Sequence, residues 1–334
     1  MNRTTKRRVV VALGGNALLR RGEPPDADHQ QANVMRAARA IATIAEHDEV
    51  VVTHGNGPQV GLLALQAAAY TDVAPYPLDI LGAETEGMIG YMLDQHLLAE
   101  LPGRQVATLL TQVVVDPHDP AFARPTKPIG PVYPATEARR LAGQRGWALT
   151  HDGDGVRRIV ASPAPRRIIE LPTIETLLAA DTLVVCAGGG GIPVALCADG
   201  AFRGMEAVVD KDATAALLAT ALDADVLLIL TDVPAVRTDW PSPDGHDIRH
   251  ATPAQLGAMT FPPGSMGPKV AAAARFVTRT GRRAAIGRLE DAPALLAGTT
   301  GTQITPTGPL VTAAGDLPAQ PPRSAPDSTC STTA

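Results

Sequence analysis

Residues 9–22 read VVVALGGNALLRRG. Val9 to Leu13 is a short apolar run with the length and composition of a buried strand. It ends in Gly14-Gly15-Asn16. Glycines at the end of a strand let a ligand or another backbone come close, because no Cβ stands in the way. Which group approaches there, and what supplies charge to hold it, decides how the rest of the chain is read.

The strand-plus-glycine unit recurs. Val34, Ala38, Ile41 and Ala45 fall at helical spacing, predicting an amphipathic helix over about 28–47. Val50 to Thr53 is a second strand and runs into HGNGPQVG. Helices are expected over about 59–70 and 80–101, and a strand over 106–115. Thr182 to Ala187 is a further strand, ending in Gly188 to Gly191. A helix begins near Asp212, a strand spans 226–231, a helix starts near Pro268 after PPGSMG, and Ala284 to Ile286 is a last short strand. Alternating strands and helices imply an α/β fold with a mostly parallel sheet and helices on its faces. Residues 116–162 break the alternation with prolines, glycines and hairpin-like pieces, and are read as a small protruding subdomain or lid.

Composition narrows the classes. Of 334 residues, 45% are hydrophobic, 19% charged and 3% aromatic, so aliphatic side chains and alanine must fill the interior. The net charge of −5 argues against general nucleic-acid binding. No apolar run reaches the roughly 18 residues needed to cross a bilayer. Lys6, Arg7 and Arg8 before an apolar run superficially resemble a secretion signal. Gly14, Gly15, Asn16, Arg20 and Arg21 interrupt that reading, and a cytoplasmic strand is expected instead. Cys186, Cys197 and Cys330 form no CxxC pair, so neither a zinc site nor a disulfide framework is indicated. No metal-binding residues are assigned.

Three glycine loops at equivalent strand ends, Gly14-Gly15-Asn16, Gly55-Asn56-Gly57 and Gly188 to Gly191, suggest a shared floor of N–H groups suited to oxyanions. None has the GxxxxGK[ST] spacing of a P-loop, and no GxGxxG opens a helix with a suitably placed acid. Positive charge must come from elsewhere. Lysine is scarce and arginine common, so the lysines carry information. Apart from Lys6 there are three: Lys127 in RPTKPIGP, Lys211 in VVDKDATAA and Lys269 in GSMGPKVAAAARFV. A compact point charge kept where arginine has replaced it elsewhere points to a site. Asp210 and Asp212 read equally as a metal pair or as an N-cap and a positioner of lysines. His54, after a strand at THGNG, could touch a ligand or merely pack, and packing is the favoured reading. No GxSxG elbow or HExxH pair appears.

The stretches VVVALGGNAL, VVTHGNGPQVG, LDILGAETEGMIGYML, TQVVVDPHDPAFARPTKPIGP, AGGGGIPV, VVDKDATAALLA, LLILTDV and GSMGPKVAAAARFV occur in an order that resembles the carbamate kinases of the amino acid kinase superfamily. The resemblance spans about residues 7–305, and the TQVVVD…PTKPIGP segment is its most specific part. It implies a three-layer αβα sandwich in one kinase domain over 1–305, with the protruding subdomain at about 116–162. Residues 306–334, rich in Pro, Ala, Thr, Ser and Gly with little to bury, are expected from composition to form a disordered tail, which departs from that family's usual short ending. The resemblance also implies a homodimeric cytoplasmic enzyme that transfers a phosphoryl group reversibly between ATP and carbamate, giving ADP and carbamoyl phosphate, with Mg²⁺ held mainly by phosphates.

By residue, the resemblance selects the same three lysines, Lys127, Lys211 and Lys269, with Asp212 as organiser. It leaves Gly14, Gly15, Asn16, Gly55, Asn56, Gly57, Gly189 and Gly190 to bind carbamate and phosphoryl oxygens. Thr231, Asp232, Ser265, Met266 and Gly267 would border the nucleotide. Another acyl-phosphate-forming amino acid kinase, or a silent nucleotide-binding regulator, are the alternatives.

Overall fold

A computed structural model describes residues 6–20, 22–24, 26–70, 72–242 and 244–313, and the backbone but not the side chain of Asn16 among them. Strand β1 (Arg8–Leu13) leads through the single turn α1 (Gly15–Leu18) to α2 (Ala27–Ala45), β2 (Glu49–His54), α3 (Gly57–Ala67) and α4 (Leu78–Glu100). Next come β3 (Val106–Thr108), β4 (Gln112–Val114), β5 (Lys127–Tyr133), α5 (Ala135–Arg145), β6 (Ala148–Asp152) and β7 (Gly155–Val160). The chain returns through β8 (Arg167–Ile168), α6 (Leu171–Ala179), β9 (Leu183–Val185), a glycine turn at Gly188–Gly190, β10 (Ile192–Leu196) and β11 (Phe202–Gly204). The last part comprises α7 (Lys211–Ala221), β12 (Val226–Thr231), β13 (Val236–Arg237), β14 (Asp247–Ala251), α8 (Pro253–Gly257), α9 (Met266–Thr280), β15 (Arg283–Arg288), α10 (Ala292–Ala297), β16 (Thr302–Ile304) and β17 (Val311–Ala313).

The central sheet runs β13-β14-β16-β15-β12-β1-β2-β9-β3, with β17 paired to β14. From β15 to β3 every neighbouring pair is parallel. Strands β1, β2 and β12 are buried on both faces, which is why they read as unbroken aliphatic runs. Side chains alternate between two cores. Val9, Val11 and Leu13 pack with α2, α4 and α10, while Val10 and Ala12 pack with α6, α7 and α9. Helix α2 turns Val34, Ala37, Ala38, Ile41 and Ala45 inward, and Asp26 caps it by accepting the His29 N–H at 2.9 Å. The three-layer sandwich follows.

Because those six strands are parallel, their carboxyl ends share one edge. The loops after β1, β2 and β9 and the end of β12 therefore lie together. The expected strand over 106–115 divides in two. Strand β3 stays in the central sheet, and β4 joins a second sheet, β11-β10-β4-β8. The chain changes sheets at residues 109–111, where the Thr111 N–H donates to Glu86 instead of to a strand neighbour.

The protruding subdomain is an antiparallel sheet, β5-β7-β6, with the eleven-residue helix α5 that the hairpin reading missed. It rests on the body at α3. A Cβ built on Gly61 would lie 1.9 Å from the Gly130 Cα, so two bare backbones meet there. Beyond residue 305 the chain does not at once become an unstructured tail. His250 donates its Nδ1–H to Pro309 O (2.7 Å), its Nε2 hydrogen-bonds with Thr305 Oγ1 (2.5 Å), and β17 pairs antiparallel with β14. The rest of the expected tail, 314–334, lies outside the described residues.

Candidate active site

Asp210 stands at the N-cap of α7 and accepts the N–H groups of Asp212 (3.0 Å) and Ala213 (3.1 Å) through Oδ1. Its other oxygen, Oδ2, receives the Lys127 ammonium from β5 at 2.5 Å. Asp212, in the first turn of the helix, takes Lys211 on Oδ1 at 2.5 Å and Lys269 on Oδ2 at 3.0 Å. Lys211 and Asp212 are 7% and 4% exposed, so this is a buried ionic cluster. Three ammonium groups face two carboxylates, leaving one net positive charge before any substrate charge is counted.

Burial and pairing compete at each group. Burial alone pushes the Asp212 carboxyl up, but Lys211 and Lys269 outweigh it and hold the group well below the usual carboxylate range. Burial also works against the Lys269 ammonium, and Asp212 reverses that, raising its pKa. At Lys211 burial wins: despite Asp212, its pKa falls to about 8, with Lys269 adding repulsion. Removing the Asp212 charge would strand two buried ammonium groups, a loss on the order of 3–5 kcal/mol.

The glycine loops close around this cluster. A Cβ on Gly55 would sit 3.1 Å from the Gly15 N and 3.4 Å from the Lys211 Cε. One on Gly190 would sit 2.5 Å from the Val209 carbonyl and 3.1 Å from the Lys211 N, and one on Gly189 would collide with the Asn56 side chain. Gly189 and Gly190 also hold φ of 65° and 98°, which favours glycine. The first loop meets β12, with the Gly14 N–H donating to Leu230 O at 2.8 Å.

That bond corrects part of the sequence reading. The amides of Gly14, Gly55 and Gly190 are already committed, to Leu230 O, Leu13 O (3.1 Å) and Ala187 O (3.1 Å). These glycines permit close approach rather than donate. Gly15 and Gly57 open α1 and α3, where an N–H has no intrahelical acceptor. Asn16 lies in α1, but its side chain is outside the described residues. Asn56 is buried, with Nδ2 donating to Thr85 Oγ1 at 2.8 Å. His54 is buried too. Its Nδ1–H donates to Gly55 O at 3.1 Å, and burial lowers its pKa to about 4.

Thr231 closes β12, and its hydroxyl donates to Asp232 Oδ1 at 3.1 Å. Ser265 is the N-cap residue of α9, which begins at Met266, two residues before the expected start at Pro268. The Gly267 N–H donates to Pro262 O at 2.9 Å. Lys269 remains close to the start of α9, and its bond to Asp212 brings the N-termini of α7 and α9 together. Thr231 and Asp232 also line a cavity of about 460 Å³ with Arg20, Arg36 and Arg288. None of the three lysines lines it. Sequence reasoning did not select those arginines, because arginine is too common in this chain to stand out. Among the described residues no group of three or more His, Cys, Asp or Glu stands together as a metal site.

The amino acid kinase family model matches residues 7–288. The carbamate kinase of Rhizobium meliloti (strain 1021) is 54% identical over 323 residues, covering 96% of this chain and 99% of the relative. That of Escherichia coli (strain K12) is 50% identical over 297 residues, covering 89% and 99%. Among solved structures, carbamate kinase from Giardia lamblia bound to AMP-PNP superposes with a TM-score of 0.81 at 40% identity, covering 90% of this chain and 99% of that one. UMP kinase from Bacillus anthracis, at 14% identity and a TM-score of 0.54, shares the fold.

Proposed function

This chain belongs to the amino acid kinase family, among the carbamate kinases, and from that premise we propose that it transfers a phosphoryl group reversibly between ATP and carbamate, giving ADP and carbamoyl phosphate. The observation that carries the reading is the Asp212 carboxylate with a lysine on each oxygen, set against the glycine loops at the sheet edge.

The chemistry needs charge control more than proton transfer. Carbamate already bears a nucleophilic oxygen, which bonds to the γ-phosphorus as the bond to the ADP oxygen breaks. No base is required, and two anions must be held in line. Lys211 and Lys269 neutralise the transferring phosphoryl group. Lys127, carried by the protruding subdomain, covers it or the carbamate. Asp212 fixes two lysines and takes no proton. The loops at Gly14, Gly15, Asn16, Gly55, Asn56, Gly57, Gly189 and Gly190 shape the oxyanion end. Thr231, Asp232, Ser265, Met266 and Gly267 border the nucleotide.

The lysine-bound state of Asp210 and Asp212 suits a Mg²⁺ ion held mainly by phosphate oxygens and water, and the ion would add charge neutralisation. Carbamoyl phosphate is a mixed anhydride, so the reaction runs toward ATP during the breakdown of nitrogen compounds.

A homodimer fits the outer face of α4, where Ile80, Met88, Tyr91 and Leu98 are exposed along one helical stripe. Tyr91→Asp should then yield a monomer by sedimentation. No helix is long and apolar enough to cross a membrane among the described residues. Arg7 pairs with Asp48 (2.9 Å) and Arg8 with Glu49, tying the basic residues at the start of β1 into the body. A cytoplasmic setting is part of this proposal.

The test is ATP formation by the purified protein from ADP and carbamoyl phosphate, beside assays with acetylglutamate, aspartate and UMP as phosphoryl acceptors. ATP formation with little activity on the other three is expected. ADP binding without ATP formation would reject the proposal.

A further inference from the structure

Helix α4 runs behind two of the three glycine loops, and phosphoryl transfer as described uses none of its residues. Thr85 and Glu86 are nonetheless 0% and 1% exposed. Thr85 Oγ1 accepts the Asn56 Nδ2–H at 2.8 Å and donates to Gly82 O at 2.7 Å, so it fixes the loop after β2. Glu86 serves the loop after β9. Its Oε2 accepts the Thr111 N–H at 2.8 Å, and its Cγ lies 3.0 Å from where a Gly188 Cβ would be. Thr111 Oγ1 in turn accepts the Ala187 N–H at 2.9 Å.

We propose that Thr85 and Glu86 are positioning residues that hold the second and third glycine loops at a fixed separation, and so set the carbamoyl-phosphate end of the site without touching substrate. The proposal rests on the kinase reading above. A carboxyl at this depth is costly. Burial pushes Glu86 well above the usual carboxylate range, the Thr111 N–H opposes this, Glu170 adds to it, and the Gly188 N–H opposes it more weakly. So buried a position favours an apolar residue unless the hydrogen bonds of an acid are needed there. Here the bond it makes fixes the residue from which the third loop hangs. The two side chains are adjacent, so one helix turn sets two loops that come from strands far apart in sequence. Gly189 packs directly on Asn56, and a shift of either loop would move the other.

Steady-state kinetics in the ATP-forming direction test this with Glu86→Ala, Glu86→Gln, Thr85→Val and Thr85→Ser. In Glu86→Ala and Thr85→Val, kcat/KM for carbamoyl phosphate should fall by about 10- to 100-fold, the scale of a small misplacement at a reacting centre. The KM for ADP should stay within about twofold, since the nucleotide end is untouched. Glu86→Gln keeps an acceptor for the Thr111 N–H and Thr85→Ser keeps the hydroxyl, so both should recover most of the loss. Equal losses for both substrates, no recovery in the conservative variants, or Thr85→Val at wild-type efficiency would overturn the proposal. If Glu86→Ala does not fold, Thr85→Val against Thr85→Ser decides alone. An unmutated protein that makes no ATP overturns the kinase reading and this proposal together, whereas an active one with indifferent variants overturns only the latter.

Discussion

At the scale of single residues, the three lysines are not equivalent. Lys269 is held charged by Asp212. Lys269→Ala should lower turnover at least about 100-fold, since loss of one preorganised donor typically costs 10²–10³. A coupled ATP assay reads this directly. Lys211 differs because burial has already brought its pKa to about 8. Its ammonium is present below that pH and lost above it, so kcat/KM for carbamoyl phosphate should decline on the alkaline side with an apparent pKa near 8. A profile flat to pH 10 would contradict this. Scarcity exposed these lysines in the sequence. It could not expose the pairing, because Lys127 finds Asp210 and Lys269 finds Asp212 across 83 and 57 residues. Nor could it show that the Gly14 and Gly55 amides are spent on strand carbonyls, since a glycine looks the same whether it donates or only makes room.

At the scale of elements, the strand-end glycines, the parallel strands and most helices were legible because their aliphatic runs and spacing are local. What escaped depends on distant partners. Strand 106–115 breaks where Glu86 takes the Thr111 N–H, and helix α5 hides in a segment whose prolines and glycines suggested hairpins. Thr85 and Glu86 lie in the LDILGAETEGMIGYML stretch that carries part of the resemblance, but nothing local in it marks their contacts with the two loops. The junction of α3 with β5 is likewise invisible in sequence, yet it places Lys127. Gly61→Ala would drive a methyl group into the Gly130 Cα and N, 1.9 and 2.1 Å away, and backbone cannot yield as a side-chain tip does. The variant should lose about 10- to 100-fold in turnover by displacing β5. Its far-ultraviolet circular dichroism should remain that of the parent, because the central sheet is not involved.

At the scale of the whole molecule, the site is also a source of acid sensitivity. His54 has a folded-state pKa of about 4 against an ordinary 6.5, because burial disfavours its charged form. As pH falls below about 6.5 the unfolded chain gains a proton that the folded chain refuses until about pH 4. Stability from this group is therefore full above that window and lost through it, by up to a few kcal/mol. The urea midpoint should drop between pH 7 and pH 5. His54→Asn, which keeps a donor for Gly55 O without the titration, should flatten the drop. The sandwich and the shared edge of its strand-end loops were readable from the alternation of strands and helices, since parallel strands align their carboxyl ends whatever the side chains do.

The protruding sheet is moored by a bare backbone crossing, by Ile129 and Val160 packed against Val60, Ala64, Leu78 and Leu81, and by an ionic bond from Lys127 to Asp210. A crossing of that kind is indifferent to dissolved electrolyte, whereas the ionic bond is not. Because that pair is mostly buried, however, salt screens it only weakly, so Lys127 should stay in place while the incoming anion is shielded, and throughput should fall steadily as salt is added.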